Sequence, residues 1–291
     1  MARERMTPLD ASFLYLERPP MHMHVAALSV LEPQAPVGPR RRVEDVRAQL
    51  AARIHLVPRL RQKVRPVPGN LALPVWVDDP RFDLDLHLSR VALPAPGGRR
   101  ELTDLVGRVL SRPLDRSRPL WELTFVEGLA EGHVATLLKV HHAMIDGISG
   151  MHLAAVLWDL QPEPSPVPPA PPWRPAPEPS DLELLAEAMR EMAVHPARGL
   201  ADALETARRQ PALAALSVGR VLSGVRSFLG MGVRPASPFD VEIGPNRRFA
   251  IAEAPLQRFK DIKDALGGTV NDVVLAAVGG ALHRLLRSRG E

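Results

Sequence analysis

The chain has 291 residues, of which 45% are hydrophobic, and its 37 basic and 33 acidic residues give a net charge of +4 at pH 7. It contains no cysteine, which excludes disulfides, cysteine-bound zinc and catalysis by a thiol nucleophile. The basic residues are scattered among acidic ones and form no stripe interleaved with aromatic residues, so nucleic acid is not expected as a partner.

Helical and strand patterns alternate along the first half of the chain. A short helix is predicted over Pro8–Glu17 with Asp10 as its cap, and longer helices over Val43–Ile54 and Glu101–Arg112. Strands are predicted within MHMHVAALSVLE, PVWVDDP, FDLDLHLSRVAL and LDRSRPLWELTFVEGL. This mixed order is typical of an α/β fold in which helices cover a mixed sheet.

Two of these strands carry histidines. In FDLDLHLS the alternation places the apolar residues from Phe82 to Leu88 toward the core and the polar residues between them, including His87, toward solvent. His22 and His24 share one strand face, but no third ligand follows at a telling spacing. No metal site is therefore predicted.

The stretch KVHHAMIDGISG, from Lys139 to Gly150, turns from a strand into a helix. Alternation along HVATLLKVHH places His142 on the apolar face and His141 on the opposite, outward face with Lys139. A partly desolvated imidazole stays neutral near neutral pH, so His142 is the candidate general base. Asp146 is expected to shape the loop or cap the helix that Gly147 opens, and a plain cap and turn with a surface histidine is the alternative.

The second half begins with a proline-rich segment, in which residues 161–180 include 10 prolines. This composition predicts an extended, exposed linker. It would separate an N-terminal domain, residues 1–160, from a helical connection at 181–240 and from a second domain that begins at 241–291 and is not completed.

Taken together, these motifs resemble the bacterial wax ester synthase/diacylglycerol acyltransferase family, within the CoA-dependent acyltransferase superfamily of chloramphenicol acetyltransferase and peptide-synthetase condensation domains. The likeness rests on PLDASFLYLE, PMHMHVAAL, LDRSRPLWE, HHAMIDG, PPWRPAPEPS, NRRFA and TVNDVVLA, which occur in the family's order. It implies two similar α/β halves that face each other across a tunnel, with the histidine motif midway. The second half would be truncated here.

The resemblance implies transfer of a long-chain acyl group from acyl-CoA to diacylglycerol or a fatty alcohol, with acyl-CoA as substrate and no resident cofactor. His142 would take the proton of the attacking hydroxyl. His141, Asp146 and Gly147 would complete the catalytic corner, with Asp146 holding the loop in shape.

Two further motifs are associated with substrate binding by the same resemblance. Pro119, Leu120 and Trp121 match the family's PLW motif at the substrate channel, although a buried tryptophan that anchors the hairpin is an equal alternative. Asn271 and Asp272 match its ND motif, and either could instead be a plain helix cap.

Two other functions remain open at this level: transfer from a carrier-protein thioester, as in condensation domains, and an inactive, truncated lipid-binding or partner-binding remnant. The charged start MARERMTPLD predicts no signal peptide, and the longest apolar stretch, Val273–Leu282, is far shorter than the ~20 residues of a membrane span. A cytoplasmic protein is expected, with peripheral binding to a membrane or lipid-droplet surface as an open alternative.

Overall fold

A four-stranded mixed sheet is the centre of the structure, which is a computed structural model. The residues that it describes are 4–32, 43–145, 166–194, 238–239 and 241–290. The chain divides into two compact units, Met1–Arg248 and Phe249–Glu291, and the sheet belongs to the first.

The strands are β1 His24–Leu31, β2 Gln62–Arg65, β3 Val75–Asp78, β4 Leu88–Ala92, β5 Trp121–Glu127 and β6 Val134–His141. The order in the main sheet is β1-β6-β5-β4, in which β6 runs antiparallel to both neighbours and β4 runs parallel to β5. Strands β2 and β3 form a separate antiparallel pair. The predicted mixed sheet with flanking helices is thereby confirmed.

The helices are α1 Pro8–Leu16, α2 Val43–Arg53, α3 Arg99–Leu110, α4 Asp181–Val194, α5 Leu256–Leu266 and α6 Val270–Ser288. Helix α1 begins at Thr7, whose hydroxyl accepts a hydrogen bond from the Asp10 N–H at 3.1 Å. The prediction that Asp10 is the cap was therefore wrong. Thr7 directly precedes the helix, and from that position its side chain can accept a hydrogen bond from a backbone N–H of the first turn.

Both faces of the main sheet are covered. On one face, Trp121, Phe125 and Val140 pack against α2 through residues that include Val46 and Leu50. On the other, the end of α3 lies over β6, where the Lys139 ammonium donates to backbone carbonyls. Every residue of β6 after its first is consequently buried.

The segment FDLDLHLS differs from its prediction. Leu84–Leu86 is a single turn of 3-10 helix, which the Asp83 carboxylate caps by accepting from the Asp85 N–H at 2.9 Å. The strand begins only at Leu88. The Leu86 side chain is therefore exposed and His87 is buried, which reverses the predicted orientation.

Residues 166–180 of the proline-rich segment follow an extended course along the β2–β3 pair. Glu178 forms an ion pair with Lys63 at 2.8 Å, and the Arg61 guanidinium lies 4.6 Å from the centre of the Trp173 ring. Helix α4 follows, and its Leu184 and Ala188 pack on the same pair of strands. The described part of this segment thus belongs to the surface of the first unit.

The second unit consists of α5 and α6 in the residues that the structure describes. Thr269 begins α6, and its hydroxyl and backbone N–H exchange hydrogen bonds with Asp272. The cap is therefore Thr269, and the prediction of Asn271 or Asp272 was wrong by a few positions, because Asp272 completes a capping box from inside the first turn. Among the described helices none alone is long and apolar enough to cross a membrane; α5 and α6 reach that length and composition only as a pair, bent by 100°.

Candidate active site

The histidine motif lies where β6 ends. His141 is the last residue of the strand, and His142–Met144 form one turn of 3-10 helix. The His141 N–H donates to the Leu120 carbonyl at 2.9 Å, and the His142 N–H donates to the Met23 carbonyl at 2.7 Å. Backbone bonds therefore tie the corner to the segments that precede β5 and β1.

His141 is fully buried. Its Nδ1 accepts a hydrogen bond from the Ala143 N–H at 3.0 Å, so the neutral ring carries its proton on Nε2, which lies 3.5 Å from a Glu17 oxygen. Burial lowers the pKa of His141, and the nearby Glu17 opposes that shift. The outward orientation predicted for His141 was wrong, because α3 and the end of α1 cover that face of the sheet.

Glu17 connects the end of α1 to this histidine. Its carboxylate accepts from the Arg116 Nε at 3.0 Å and from the Met23 N–H at 3.2 Å, and only 9% of its side chain is exposed. Burial alone would raise the pKa of Glu17, but the Arg116 guanidinium, with help from His141, holds it below its ordinary value. The group is therefore a carboxylate at neutral pH.

Sequence reasoning missed this Glu17–Arg116 pair. Both residues lie inside motifs that carried the resemblance, PLDASFLYLE and LDRSRPLWE, and each was treated as part of a helix end or strand entrance. A carboxylate directly after an apolar helix and an arginine before a buried strand were the available signals.

His142 is half-buried, and its ring stacks on Phe13 with centroids 4.0 Å apart and planes 25° apart. Its buried Nδ1 has no hydrogen-bond partner, and the ring makes no hydrogen bond to any described residue. The ring is thus held in place by stacking and by its backbone, and in the neutral ring the unprotonated nitrogen is free to accept a proton. The prediction that His142 continues the β6 alternation was wrong, because the strand ends at His141. Asp146 and Gly147 lie outside the described residues.

The PLW residues lie next to the histidine corner, at the start of β5. Pro119 and Leu120 are buried, and Trp121 is 1% exposed. The Trp121 Nε1 donates to the Leu60 carbonyl at 2.8 Å, and its ring stacks on His87 at 4.6 Å. The described structure thus shows the anchoring role of Trp121, and the contact of these residues with substrate stays a prediction.

Asn271 and Asp272 lie in the second unit, and both are exposed. The hydrogen bond from the Thr269 side chain lowers the pKa of Asp272, so this carboxylate is ionised and engaged in the capping box. Their predicted role in binding substrate stays a prediction.

His24, one of the two histidines of the HxH pair, contacts the end of α3. The His24 Nε2 hydrogen-bonds to the Leu110 carbonyl at the end of α3, at 3.1 Å. Burial, with the Lys139 charge nearby, lowers the pKa of His24 to about 4. Within the described residues no group of three or more histidine and carboxylate side chains could hold a metal ion.

Residues 6–274 match the family model of the wax ester synthase/diacylglycerol acyltransferase catalytic domain. The probable diacylglycerol O-acyltransferase tgs2 of Mycobacterium tuberculosis is 38% identical over 98% of this chain, and the probable diacylglycerol O-acyltransferase tgs3 of the same species is 36% identical over 89%. The solved wax ester synthase/diacylglycerol acyltransferase from Marinobacter aquaeolei VT8 is 29% identical over 98% of the chain, with a TM-score of 0.62.

The relatives differ in length. The chain spans 60% of tgs2 and 61% of the Marinobacter chain, but 95% of tgs3. The match of the family model runs from the segment before α1 into α6, so it includes the motifs on which the resemblance rested, except the last two residues of TVNDVVLA. By this match, by its identity to the relatives and by its fold, the chain belongs to the wax ester synthase/diacylglycerol acyltransferase family.

Proposed function

We propose that this protein transfers a long-chain acyl group from acyl-CoA to diacylglycerol or a fatty alcohol, with His142 as the general base. Membership of the family and the names of the relatives support the reaction class. The observation that carries the residue assignment is the half-buried His142 ring, which Phe13 holds and no described residue hydrogen-bonds.

The chemistry needs one proton acceptor and no covalent acyl-enzyme intermediate. As the acceptor hydroxyl attacks the thioester carbonyl, the neutral His142 imidazole takes its proton. The tetrahedral adduct then collapses, the carbon–sulfur bond breaks, and the imidazolium returns the proton to the CoA thiolate. Acyl-CoA therefore acts as substrate, and this route requires no resident cofactor.

His141 and Glu17 act as positioning residues in this proposal. The His141 ring fixes the turn that presents His142, because its Nδ1 accepts a hydrogen bond from the N–H of Ala143, the residue after His142. The Glu17 carboxylate faces the opposite ring nitrogen at 3.5 Å and is itself held by Arg116. The negative charge also favours the tautomer in which Nδ1 is the acceptor.

The test is turnover of radiolabelled hexadecanoyl-CoA by the purified protein, with hexadecanol or dipalmitoylglycerol as acceptor. Replacing His142 with Ala should lower kcat by about 10²–10⁴-fold, which is the usual contribution of a positioned general base. His133→Ala is the matched control, since His133 lies in the turn before β6 and its ring hydrogen-bonds to the Ala130 carbonyl of the same turn. Equal turnover by His142→Ala and the control would reject the assignment.

The same assay separates the carrier-protein alternative. Hexadecanoyl-pantetheine on an acyl carrier protein replaces hexadecanoyl-CoA as donor, and we expect the free CoA thioester to be preferred. A higher kcat/KM for the carrier-bound donor would place the chain with condensation-type enzymes instead.

We also infer a cytoplasmic location with peripheral binding to a membrane or lipid-droplet surface. Large apolar side chains of α5 and α6 are exposed, including Leu266 at 83% and Leu275 at 60%. Apolar patches of this kind commonly contact lipid or a partner. Flotation with phosphatidylcholine vesicles tests this, and Leu275→Asp should reduce the bound fraction; flotation without turnover would favour the alternative of a lipid-binding protein.

A further inference from the structure

We propose that a cavity between α3 and strand β4 binds a single-chain lipid with an anionic head group. The cavity has a volume of about 620 Å³ and lies at the β4 edge of the main sheet, where residues of β4, β5 and β6 line it. This volume is within the range of about 300–1,000 Å³ that is usual for small-molecule sites. Neither His141, His142 nor Glu17 lines it, so the proposal does not rest on the acyl transfer described above.

Two elements form the walls. The sheet contributes side chains from β4, β5 and β6, which include Ser89, Thr124 and Lys139. Helix α3 and the residues after it contribute Arg108 and Arg112. Because β4 is an edge strand of the main sheet, no further strand closes this side of the cavity in the described residues.

Most charged groups at the cavity are already balanced. The Asp85 carboxylate accepts two hydrogen bonds from the Arg47 guanidinium, at 2.5 and 3.0 Å. The buried Lys139 ammonium donates to the Arg112 carbonyl at 2.7 Å and to the Val109 carbonyl at 3.2 Å, and lies 3.5 Å from the Glu122 carboxylate. Each of the two pairs, Arg47–Asp85 and Lys139–Glu122, combines one positive and one negative charge, so neither adds net charge to the cavity wall.

The remaining charge is positive. The side chains of Arg108 and Arg112 make no hydrogen bond or ion pair with any described residue, although both line the cavity. Arg108 lies in the last turn of α3 and Arg112 lies two residues after its end, and each guanidinium can donate two parallel hydrogen bonds to carboxylate or phosphate oxygens. The ligand that this charge complements therefore carries an anionic head.

The rest of the lining is apolar. Leu86, Leu88, Val91 and Leu105 contribute to the wall, and Leu86 is 54% exposed although it is a large apolar residue. An alkyl chain laid along these side chains would remove them from water. Head and chain together specify a fatty carboxylate or an alkyl phosphate monoester, and either source presents the same chemistry.

The experiment is calorimetric titration of the protein with hexadecanoate and hexadecyl phosphate below their critical micelle concentrations, and with hexadecanol below its solubility limit. Both anionic probes should bind, and the dissociation constant should rise about tenfold or more in the double variant Arg108→Glu/Arg112→Glu, since charge-assisted contacts to the head are lost. Hexadecanol should bind that variant and the natural protein equally. Arg100→Glu is the matched control, because Arg100 lies on α3 outside the cavity lining.

A second pair of variants tests the chain-binding part without changing charge. Ser89→Phe should fill the cavity and abolish binding of both anions, whereas Ser89→Ala, which removes only the hydrogen bond to Thr124, should retain it. Inorganic phosphate alone should not compete, because it has no chain. Equal affinities in the natural protein and the charge-reversed variant, full binding by Ser89→Phe, or no binding of hexadecanoate and hexadecyl phosphate would each overturn the proposal.

Discussion

Replacing Glu17 with Gln tests the network behind the histidine corner. The carboxylate receives hydrogen bonds from Arg116 and from the Met23 N–H, and it faces the Nε2 of His141. An amide of the same shape can still accept one of these bonds, but it carries no charge. The change therefore isolates the electrostatic part of the network.

The magnitude follows from the exposure of the partners. A hydrogen bond to a charged group contributes about 1.5–3 kcal/mol, roughly twice a neutral one. The Arg116 side chain is 48% exposed and regains water when the charge is lost, whereas Glu17 is 9% exposed and His141 is buried. We therefore expect Glu17→Gln to lower the free energy of unfolding by about 1–2 kcal/mol.

Urea unfolding followed by tryptophan fluorescence gives the measurement. Trp76, Trp121 and Trp173 lie in the described part of the first unit, and residues 249–291 contain no tryptophan, so the signal does not report on the second unit. A double-mutant cycle with Arg116→Ala should show a coupling of about 1 kcal/mol at pH 7.

The pH dependence has a definite sign. Because the folded protein lowers the pKa of Glu17, its carboxylate contributes stability that is present above the ordinary carboxyl pKa of about 4.3 and is lost as the pH falls further. The difference between the natural protein and Glu17→Gln should therefore shrink below about pH 4. Unchanged stability at pH 7, together with a coupling below about 0.5 kcal/mol, would refute the network as described.

Three further predictions concern the scaffold. Trp121→Phe keeps one aromatic ring but removes the five-membered ring of the buried indole and its Nε1 donor to the Leu60 carbonyl, and should cost at least about 1–2 kcal/mol in urea unfolding. Folding lowers the pKa of His24 from 6.5 to about 4, so thermal stability should decline as the pH drops from 6.5 to 4. His24→Asn should flatten that decline in scanning fluorimetry, and an equal decline in the variant would contradict the prediction. Gly97 has φ of +69° and a Cβ there would lie 1.9 Å from a carbonyl oxygen, so Gly97→Ala should cost at least about 2 kcal/mol in urea unfolding. Gly132→Ala, with φ of +77° and open space around it, should cost less, and equal losses would show that the clash is relieved elsewhere.

The sequence predicted the elements of the first unit well but not the orientation of the histidines. Alternation assigns one buried and one exposed face, which holds for a strand covered on one side only. Strand β6 has α2 over one face and the end of α3 over the other. The nearly continuous apolar run ATLLKV is also typical of a strand buried on both faces. Its lysine pointed instead to one solvent-exposed face.

Tertiary contacts account for the remaining differences. Lys139 can be buried because its ammonium donates hydrogen bonds to carbonyls at the end of α3. These residues are about 30 positions apart in the sequence, so no local pattern predicts the contact. In FDLDLHLS the Asp83 side chain caps a helical turn, so local side-chain hydrogen bonding overrode the alternation. The position of His142 just beyond the strand depended on where β6 ended, and element ends are the least certain part of any pattern.

The histidine corner joins segments that are far apart in sequence. Glu17 and Arg116 are separated by 99 residues, and His24 pairs with His141 across the sheet. During translation, which adds about 5–20 residues per second, the segment with α1 therefore leaves the ribosome well before its partner strand exists. For several seconds Leu14 and its apolar neighbours would be open to chaperones, so changes that make this helix more apolar should reduce the yield of native protein before they affect its final stability.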